Sequence, residues 1–259
     1  LKKLLIEISK KVNYPYTDQS LYDFWNNENE IEPRIGNLGG GSDHIAFYMH
    51  IGIPSLSGGA SGPNLYHSNY DSFNFYEKFV DPEFKMGPTI EHFTGLLTLT
   101  MANAELIPYD VKRYPSDLRL HFNNASKKIM KYHRDFEGFK KTEKEIENLF
   151  SISSKLSESI KNYLEQEKFS KKELKVLNQK LIALEKSFIS ENGMYFGSWY
   201  KSLYASSDPF SGYAAWILPG LEYEIALMKK DRLEEWDSRY SKAISSLGSK
   251  MEELIKLLN

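Results

Sequence analysis

Cysteine is absent from this sequence of 259 residues, so no disulfide can cross-link the fold. This absence leaves the compartment open, because a lumenal protein need not use disulfides. Long apolar runs are missing too: no stretch reaches the roughly 18 apolar residues of a membrane-spanning helix, which predicts no membrane contact by this segment. A large excess of charge is also missing, since the net charge is −2, and we therefore expect no nucleic-acid partner.

The residues that are present favour a folded protein with two parts. Apolar residues make up 41% of the sequence and aromatic residues 14%, which is enough for a packed core. The composition changes near Tyr114-Pro115, beyond which lysine, glutamate and serine dominate. The length suits one large domain or two smaller ones, and this change predicts two, over residues 1–112 and 113–259.

The first part has the sequence pattern of an α/β protein. Apolar residues at helical spacing predict helices over residues 1–12 and 88–107, and residues 43–50 are expected to be helical as well. Residues 51–57 form a short apolar run bounded by glycines, which predicts a buried strand of a parallel sheet. Glycine-rich turns with polar residues flank this region, as they do at the strand ends of α/β enzymes.

The second part has the pattern of a helical bundle. Apolar residues recur every three or four positions within residues 149–163, 174–188 and 233–258, and each such stripe must be buried against another helix. Residues 194–221 form an irregular aromatic segment that is long for a plain connection, which favours a functional loop. The aromatic residues of 194–216 together with Trp236 exceed what one bundle needs, so we expect an apolar interface here.

The pair Tyr66-His67 is the most informative short motif. It follows a glycine-rich run that can bend around a ligand, because glycine has no Cβ. Neutral imidazole is a common zinc ligand, and a tyrosine hydroxyl can donate a hydrogen bond to a developing oxyanion. The spacing alone also fits a hydrogen-bonded surface histidine and a packed core tyrosine, so both interpretations stay open at this point.

A second glycine-rich run reads Gly39-Gly40-Gly41-Ser42-Asp43-His44. Ser42 and Asp43 are both residue types preferred at helix starts, so we expect one of them to cap the helix that follows. For His44 the sequence favours a structural hydrogen bond over a zinc bond. Other histidines lack metal spacing and are interpreted as structural or solvated: His50, His92, His121 and His133.

Several short motifs occur together in one order: Pro33-Arg34-Ile35, the run of residues 39–44, Gly52-Ile53-Pro54-Ser55, Leu65-Tyr66-His67-Ser68, Tyr76-Glu77-Lys78-Phe79, Asp81-Pro82-Glu83-Phe84 and Leu106-Ile107-Pro108-Tyr109-Asp110. In this combination the sequence resembles the two-zinc exopeptidase family that includes glutamate carboxypeptidase II and the transferrin receptor. The likeness covers nearly the whole chain. It implies the C-terminal part of an α/β peptidase domain, a mixed sheet flanked by helices, followed by an all-α helical-bundle dimerisation domain.

The resemblance implies roles for four residues. His67 matches a ligand of one of the two zinc ions, and Tyr66 matches the tyrosine that binds the substrate carbonyl as it becomes an oxyanion. Ser42 matches a position on the wall of the substrate pocket, and Tyr213 matches a residue that grips the end of the substrate. The other zinc ligands and the general base of the family have no counterpart here, so most ligands of a complete site lie outside this sequence.

Two departures from the family bear on substrate specificity. Glutamate carboxypeptidase II has arginines between the positions that match Pro54 and His67, whereas this sequence has none there. A lysine precedes the tyrosine that matches Tyr213, and here that position is Gly212. An acidic substrate would lack its bidentate partner, so we expect a broader or apolar preference.

The predicted function is that of the C-terminal portion of a zinc-dependent exopeptidase, of the aminopeptidase or carboxypeptidase type, that hydrolyses peptides. Because most zinc ligands lie outside this sequence, residues 1–259 alone are expected to be inactive. The alternative is a non-catalytic receptor or protein-sorting adaptor on the same scaffold. The zinc content of the full-length protein separates the two hypotheses, because only the enzyme needs the ions.

The resemblance also implies partners and a location. The sequence opens inside an amphipathic helix without a methionine, so we interpret it as a piece of a longer protein whose upstream part is one partner. A second copy of the chain, in a homodimer, is the other. The implied setting is the lumenal or extracellular ectodomain of a single-pass type II membrane protein, vacuolar, endosomal or at the cell surface. Asn124-Ala125-Ser126 is a glycosylation acceptor pattern that agrees with this setting.

Overall fold

The structure is a computed structural model that describes residues 1–26, 33–166 and 170–259. The chain forms two compact units that interleave along the sequence. The first unit comprises Leu1–Gly36 and Ser57–Tyr109, and the second comprises Asn37–Leu56 and Asp110–Asn259. In neither unit do the described helices combine the length and the low polarity that a membrane crossing requires.

The first unit is helical. It contains α1 (Lys2–Ser9), α2 (Leu21–Trp25), α3 (Phe73–Phe75) and α4 (Met86–Asn103), and a π-helical turn over Tyr76–Val80 follows α3 directly. Its core forms where α1 packs on α4, because Leu4 and Ile8 of α1 are buried with Val12 and with Leu97 of α4. Both helices predicted from apolar spacing are confirmed, although α4 begins and ends earlier than residues 88–107.

A buried carboxylate, Asp81, organises the start of α4. It accepts hydrogen bonds from the backbone N–H groups of Lys85, Met86 and Gly87 and from the hydroxyls of Tyr16 and Tyr76. The first N–H groups of a helix have no partner within the helix. The residue just before α4, Lys85, does not cap them with its side chain, so Asp81 takes this role from outside the helix. Burial opposes ionisation of Asp81, but these hydrogen bonds outweigh it and hold the carboxyl pKa well below its usual range.

Asp81→Asn should lower the melting temperature of the protein by about 5 °C at neutral pH, since an amide is a poorer acceptor for these donors. A depressed carboxyl pKa in the folded state stabilises the protein above the unfolded pKa and loses that effect as the pH falls. Melting curves between pH 7 and about pH 3 should therefore show a smaller acid-induced loss in the variant. Asp18→Asn, at an exposed position, is the matched control. Equal acid sensitivity of the Asp81 variant and the parent protein would contradict the prediction.

The second unit is a helical bundle with a small hairpin. Its helices are α5 (Arg113–Ile129), α6 (Lys140–Leu164), α7 (Lys171–Ile182), α8 (Pro219–Ala226) and α9 (Leu233–Leu258), with a 3₁₀ turn over Glu185–Phe188. The long α9 packs along α6 and also contacts α7 and α8. The apolar stripe predicted along α9 is buried over its whole length, from Leu233 to Leu258, which confirms it.

Aromatic side chains fill the centre of the bundle. The ring of Phe122 packs edge-to-face against Tyr240 at 5.2 Å and against Phe139 at 5.4 Å. Trp236 lies beside Tyr240 and is completely buried. The expectation that Trp236 contributes to an interface is therefore wrong, because the bundle core already covers its whole surface.

The irregular segment predicted over residues 194–221 contains an antiparallel hairpin. Strand β1 (Ala205–Ser207) pairs with β2 (Ala215–Ile217), and α8 starts directly after β2. Across the described ranges this hairpin is the only sheet, so the predicted mixed sheet does not occur in them. Strands of three residues are too short to give an alternating pattern, which is why the sequence did not reveal them.

The buried strand predicted over residues 51–57 does not form. This segment is irregular in the structure, and Ile51, Ile53 and Leu56 are exposed. A strand is held by hydrogen bonds to a neighbouring strand, and no described part of the chain pairs with this one. The residues before it are helical as predicted, in the form of a π-helical turn over Ala46–His50.

Met49, in that π-helical turn, anchors the segment Asn37–Leu56 in the bundle unit. Its side chain is completely buried. Its carbonyl oxygen accepts hydrogen bonds from the backbone N–H groups of Lys201, at 3.1 Å, and Ser202, at 2.9 Å. Its sulfur accepts one from the backbone N–H of Ser207 in β1, at 3.3 Å. The segment that carries Ser42 is therefore fixed next to the hairpin.

Candidate functional site

A compact turn in the first unit presents Tyr66 and His67. The side-chain oxygen of Asn64 accepts a hydrogen bond from the backbone N–H of Tyr66 at 2.6 Å. The hydroxyl of Ser68 donates to the carbonyl of Leu65 at 2.7 Å, and the backbone N–H of Ser68 donates to the same oxygen. Short polar side chains thus bond to nearby backbone on both sides of the pair, which holds the turn without a helix or a sheet.

His67 has an unusual backbone conformation and ring nitrogens that are open to bind a ligand. Its φ of +62° lies in the left-handed region, which residues other than glycine seldom adopt. Its imidazole stacks on the ring of Tyr66 at 3.8 Å between centroids, and both side chains are exposed, Tyr66 by 70%. Neither ring nitrogen of His67 has a hydrogen-bond partner among the residues that the structure describes, so either could bind a metal. Strained backbone of this kind is common at functional sites.

His67 has no companions for a complete metal site in the described chain. No group of three or more histidine, cysteine, aspartate or glutamate residues within the described ranges could hold a metal ion. A zinc site usually takes about three or four protein ligands. An exposed imidazole without a hydrogen-bond partner fits the role of one such ligand, and the others would have to come from elsewhere.

In the second unit, the glycine run is packed directly on the tip of the hairpin. The backbone N–H of Gly40 donates a hydrogen bond to the carbonyl of Tyr213 at 2.9 Å. A Cβ on Gly39 or Gly40 would overlap the backbone of the hairpin tip, and one on Gly41 would lie 2.8 Å from the ring of Tyr213. Only glycine permits so close an approach, so this contact explains why three glycines are needed in a row.

Asp208 shapes the hairpin tip that carries Tyr213. Its carboxylate accepts hydrogen bonds from the hydroxyl of Ser211 and from the backbone N–H groups of Phe210 and Ser211. The Ser211 hydroxyl and these N–H groups hold the pKa of Asp208 below its usual range. Gly212 then turns the chain with a φ of +77°, and the Tyr213 side chain emerges 73% exposed.

The predicted pocket residue Ser42 follows the glycine run and is exposed. Neither Ser42 nor Asp43 caps the π-helical turn after it, so the expected side-chain cap is wrong: the backbone carbonyl of Ser42 accepts from the N–H of Ile45 instead. The ring of His44 donates from Nε2 to the carbonyl of Gly39 at 2.9 Å, which confirms the predicted structural hydrogen bond.

The four sequence-predicted site residues thus form two pairs. Tyr66 and His67 are neighbours in the first unit, and Ser42 and Tyr213 are joined through the glycine run in the second. Sequence reasoning missed Asp208 as the residue that shapes the Tyr213 loop. The sequence Asp208-Pro209-Phe210-Ser211-Gly212 does indicate a tight turn, because aspartate, proline, serine and glycine are the residue types typical of turns.

The sequence matches one protein family and is similar to three known proteins described below. Residues 120–252 match the model of the transferrin receptor-like dimerisation domain. The chain is 30% identical to a probable glutamate carboxypeptidase of Arthroderma benhamiae over 94% of its own length, and 29% identical to one of Arabidopsis thaliana over 82%. It is 24% identical over 91% to vacuolar protein sorting-associated protein 70 of Saccharomyces cerevisiae. It spans 34%, 30% and 32% of these relatives, about a third of each.

Proposed function

The chain belongs to the transferrin receptor-like and glutamate carboxypeptidase family, and from this we propose that it is the C-terminal portion of a zinc-dependent exopeptidase. Residues 1–112 are proposed as the end of the α/β peptidase domain and residues 113–259 as the dimerisation domain. The observation that supports a peptidase most directly is the exposed imidazole of His67, held on a strained turn without a hydrogen-bond partner among described residues.

His67 and Tyr66 have distinct proposed roles. His67 would supply one imidazole nitrogen to a zinc ion, the other ligands coming from outside this sequence. Zinc, when bound, activates water and polarises the peptide carbonyl. The exposed hydroxyl of Tyr66 would donate a hydrogen bond to the carbonyl oxygen as negative charge develops on it, which lowers the barrier by a few kcal/mol. The stacking of the two rings restricts the rotation of both side chains.

Ser42 and Tyr213 are proposed to bind the end of a peptide substrate. Their hydroxyls can donate and accept hydrogen bonds, but they carry no charge. Residues 37–56 and 202–228 contain neither lysine nor arginine. A glutamate carboxylate would find no cation on these segments, so we propose neutral peptides as the preferred substrates.

A second candidate function is that of a non-catalytic receptor or sorting adaptor. The relative named as a vacuolar protein sorting-associated protein favours it. The same relative, with the carboxypeptidases, is compatible with a vacuolar or lumenal location. Within that setting we propose the ectodomain of a single-pass type II membrane protein, glycosylated at Asn124, which is exposed on α5.

The test of the proposed function is to purify the full-length protein from its native compartment and measure its zinc content together with its peptidase activity. The proposal expects about two zinc ions per chain and cleavage of neutral dipeptides faster than of those ending in glutamate. Absence of zinc and of activity would support the adaptor instead. A clear preference for a C-terminal glutamate would contradict only the proposed substrate class.

The dimerisation family and the exposed side chains of the second unit together support a homodimer. Large apolar residues remain exposed on this unit outside the bundle core: Leu120, Met130, Tyr195, Trp199, Phe210, Met228 and Leu257. Apolar side chains that lie together in one exposed patch commonly mark a protein interface, so these residues are candidates for the contact between two chains. Light scattering of the full-length protein at micromolar concentration should give the mass of two chains. We expect the interface between them to bury more than about 2,000 Å² in total, as obligate dimers do. A monomer under these conditions would contradict this prediction.

A further inference from the structure

We propose that His44 is a positioning residue for substrate recognition: its imidazole fastens the glycine run that places Ser42 beside the Tyr213 loop. This inference rests on the proposed role of Ser42 and Tyr213 in binding the substrate. The family resemblance gives His44 no function. We expect His44 to act by positioning Ser42 next to the Tyr213 loop, without touching the substrate itself.

The geometry forms a closed chain of contacts. The Nε2–H of His44 donates to the carbonyl of Gly39 at 2.9 Å, so the run from residue 39 to residue 44 is bridged at its two ends. Within this bridge, the N–H of Gly40 donates to the carbonyl of Tyr213 at 2.9 Å. Gly41 lies against the Tyr213 ring, where a Cβ would come within 2.8 Å of it. Ser42 is the next residue, so its position follows from these contacts.

The bridge is needed because three consecutive glycines lose much conformational freedom when they are ordered. The hydrogen bond of Gly40 to Tyr213 restrains only the middle of the run. Without the imidazole donor, the half-buried carbonyl of Gly39 would lose its only side-chain partner among the described residues, and the start of the run could swing away from the hairpin.

The hairpin itself does not depend on His44. Its tip is held by Asp208 through the hydroxyl of Ser211 and two backbone N–H groups, and its strands pair from Ala205 to Ile217. Loss of the His44 donor should therefore loosen the glycine run while the fold and the Tyr213 loop persist. A contact that acts on the substrate end alone changes ground-state and transition-state binding equally, so KM should rise and kcat should change little.

The experiment uses three variants of the full-length protein. His44→Phe keeps a planar ring and removes the donor, and His44→Gln restores an amide N–H at a similar reach. His92→Phe, at an exposed position of α4 in the other unit, is the control. Hydrogen exchange is measured for peptides covering residues 37–44 and 208–214, and steady-state kinetics are measured on a neutral dipeptide.

We expect His44→Phe to speed exchange in residues 37–44 and raise KM about 10-fold, with His44→Gln close to the parent protein and His92→Phe unchanged. Unchanged exchange in His44→Phe would overturn the fastening role. Faster exchange with an unchanged KM would overturn the role in substrate recognition. The activity of the parent protein is measured first. If it cleaves no peptide, the proposed function is refuted and the recognition role of His44 with it, before any variant is compared.

Discussion

Replacing His67 with alanine in the full-length protein should reduce kcat/KM for a neutral dipeptide by at least about 1,000-fold and lower the zinc content, while the circular dichroism spectrum stays unchanged. Loss of residues that only support a metal ligand already costs about 10- to 100-fold, so loss of a ligand should cost more. The fold should survive because the ring of His67 is exposed and contacts only Tyr66 among the described rings.

Tyr66→Phe is the companion variant, and it separates metal binding from oxyanion stabilisation. It keeps the ring that stacks on His67 and removes only the hydroxyl. Zinc content should stay at the parent level and kcat should fall about 100- to 1,000-fold. His92→Ala serves as the control for an exposed histidine outside the turn. Normal activity of the His67 variant would show that His67 is not a zinc ligand. Loss of zinc from the Tyr66 variant would show that Tyr66 also supports metal binding, contrary to its proposed role at the oxyanion.

Trp236→Ala should destabilise the bundle unit by about 3–5 kcal/mol, the usual cost of emptying a large aromatic site in a core. The indole is completely buried, and its N–H donates to the buried carboxylate of Glu224 at 3.3 Å. A Cβ on Gly220 would lie only 2.5 Å from the indole ring, which shows how closely α8 packs on it. Deletion of the ring therefore leaves a cavity and removes one donor from Glu224.

Urea unfolding of the full-length protein measures this loss. Val176→Ala is the control, because Val176 belongs to the same unit, is 39% exposed and is not among the residues proposed for the dimer interface. It should cost less than about 1 kcal/mol. Equal losses in the two variants would show that the indole of Trp236 is not the central packing element that its burial indicates. Since α8 follows the hairpin directly, the Trp236 variant should also bind substrate more weakly before it unfolds.

The sequence predicted those features that depend on local patterns. The apolar residues from Leu233 to Leu258 repeat at helical spacing. An amphipathic helix buries such a stripe by packing that face against the protein core, so the sequence alone predicts both the helix and its buried face. The hydrogen-bonded role of His44 was likewise predicted and is confirmed. The family itself followed from several short motifs in order, among them Tyr66-His67, and the match of residues 120–252 confirms it.

Features that depend on distant parts of the chain escaped prediction. The apolar run over residues 51–57 has the composition of a strand, but a strand also needs a partner that composition does not specify. The contact between Gly40 and Tyr213 joins residues far apart in sequence, so the triple glycine could be recognised as flexible but not as a packing surface. Trp236 shows the same limit, since an aromatic residue on a stripe can face a core or a partner.

The anchoring of Met49 has a consequence for the order in which the protein can be built. Its carbonyl and sulfur bond to Lys201, Ser202 and Ser207, which leave the ribosome some 150 residues later. At typical rates of synthesis, about 5–20 residues per second, the segment must wait several seconds or more for these partners. During that wait the side chain of Met49, which is completely buried in the folded unit, is uncovered and accessible to chaperones. The bundle unit thus closes around a segment that was made long before the bundle itself.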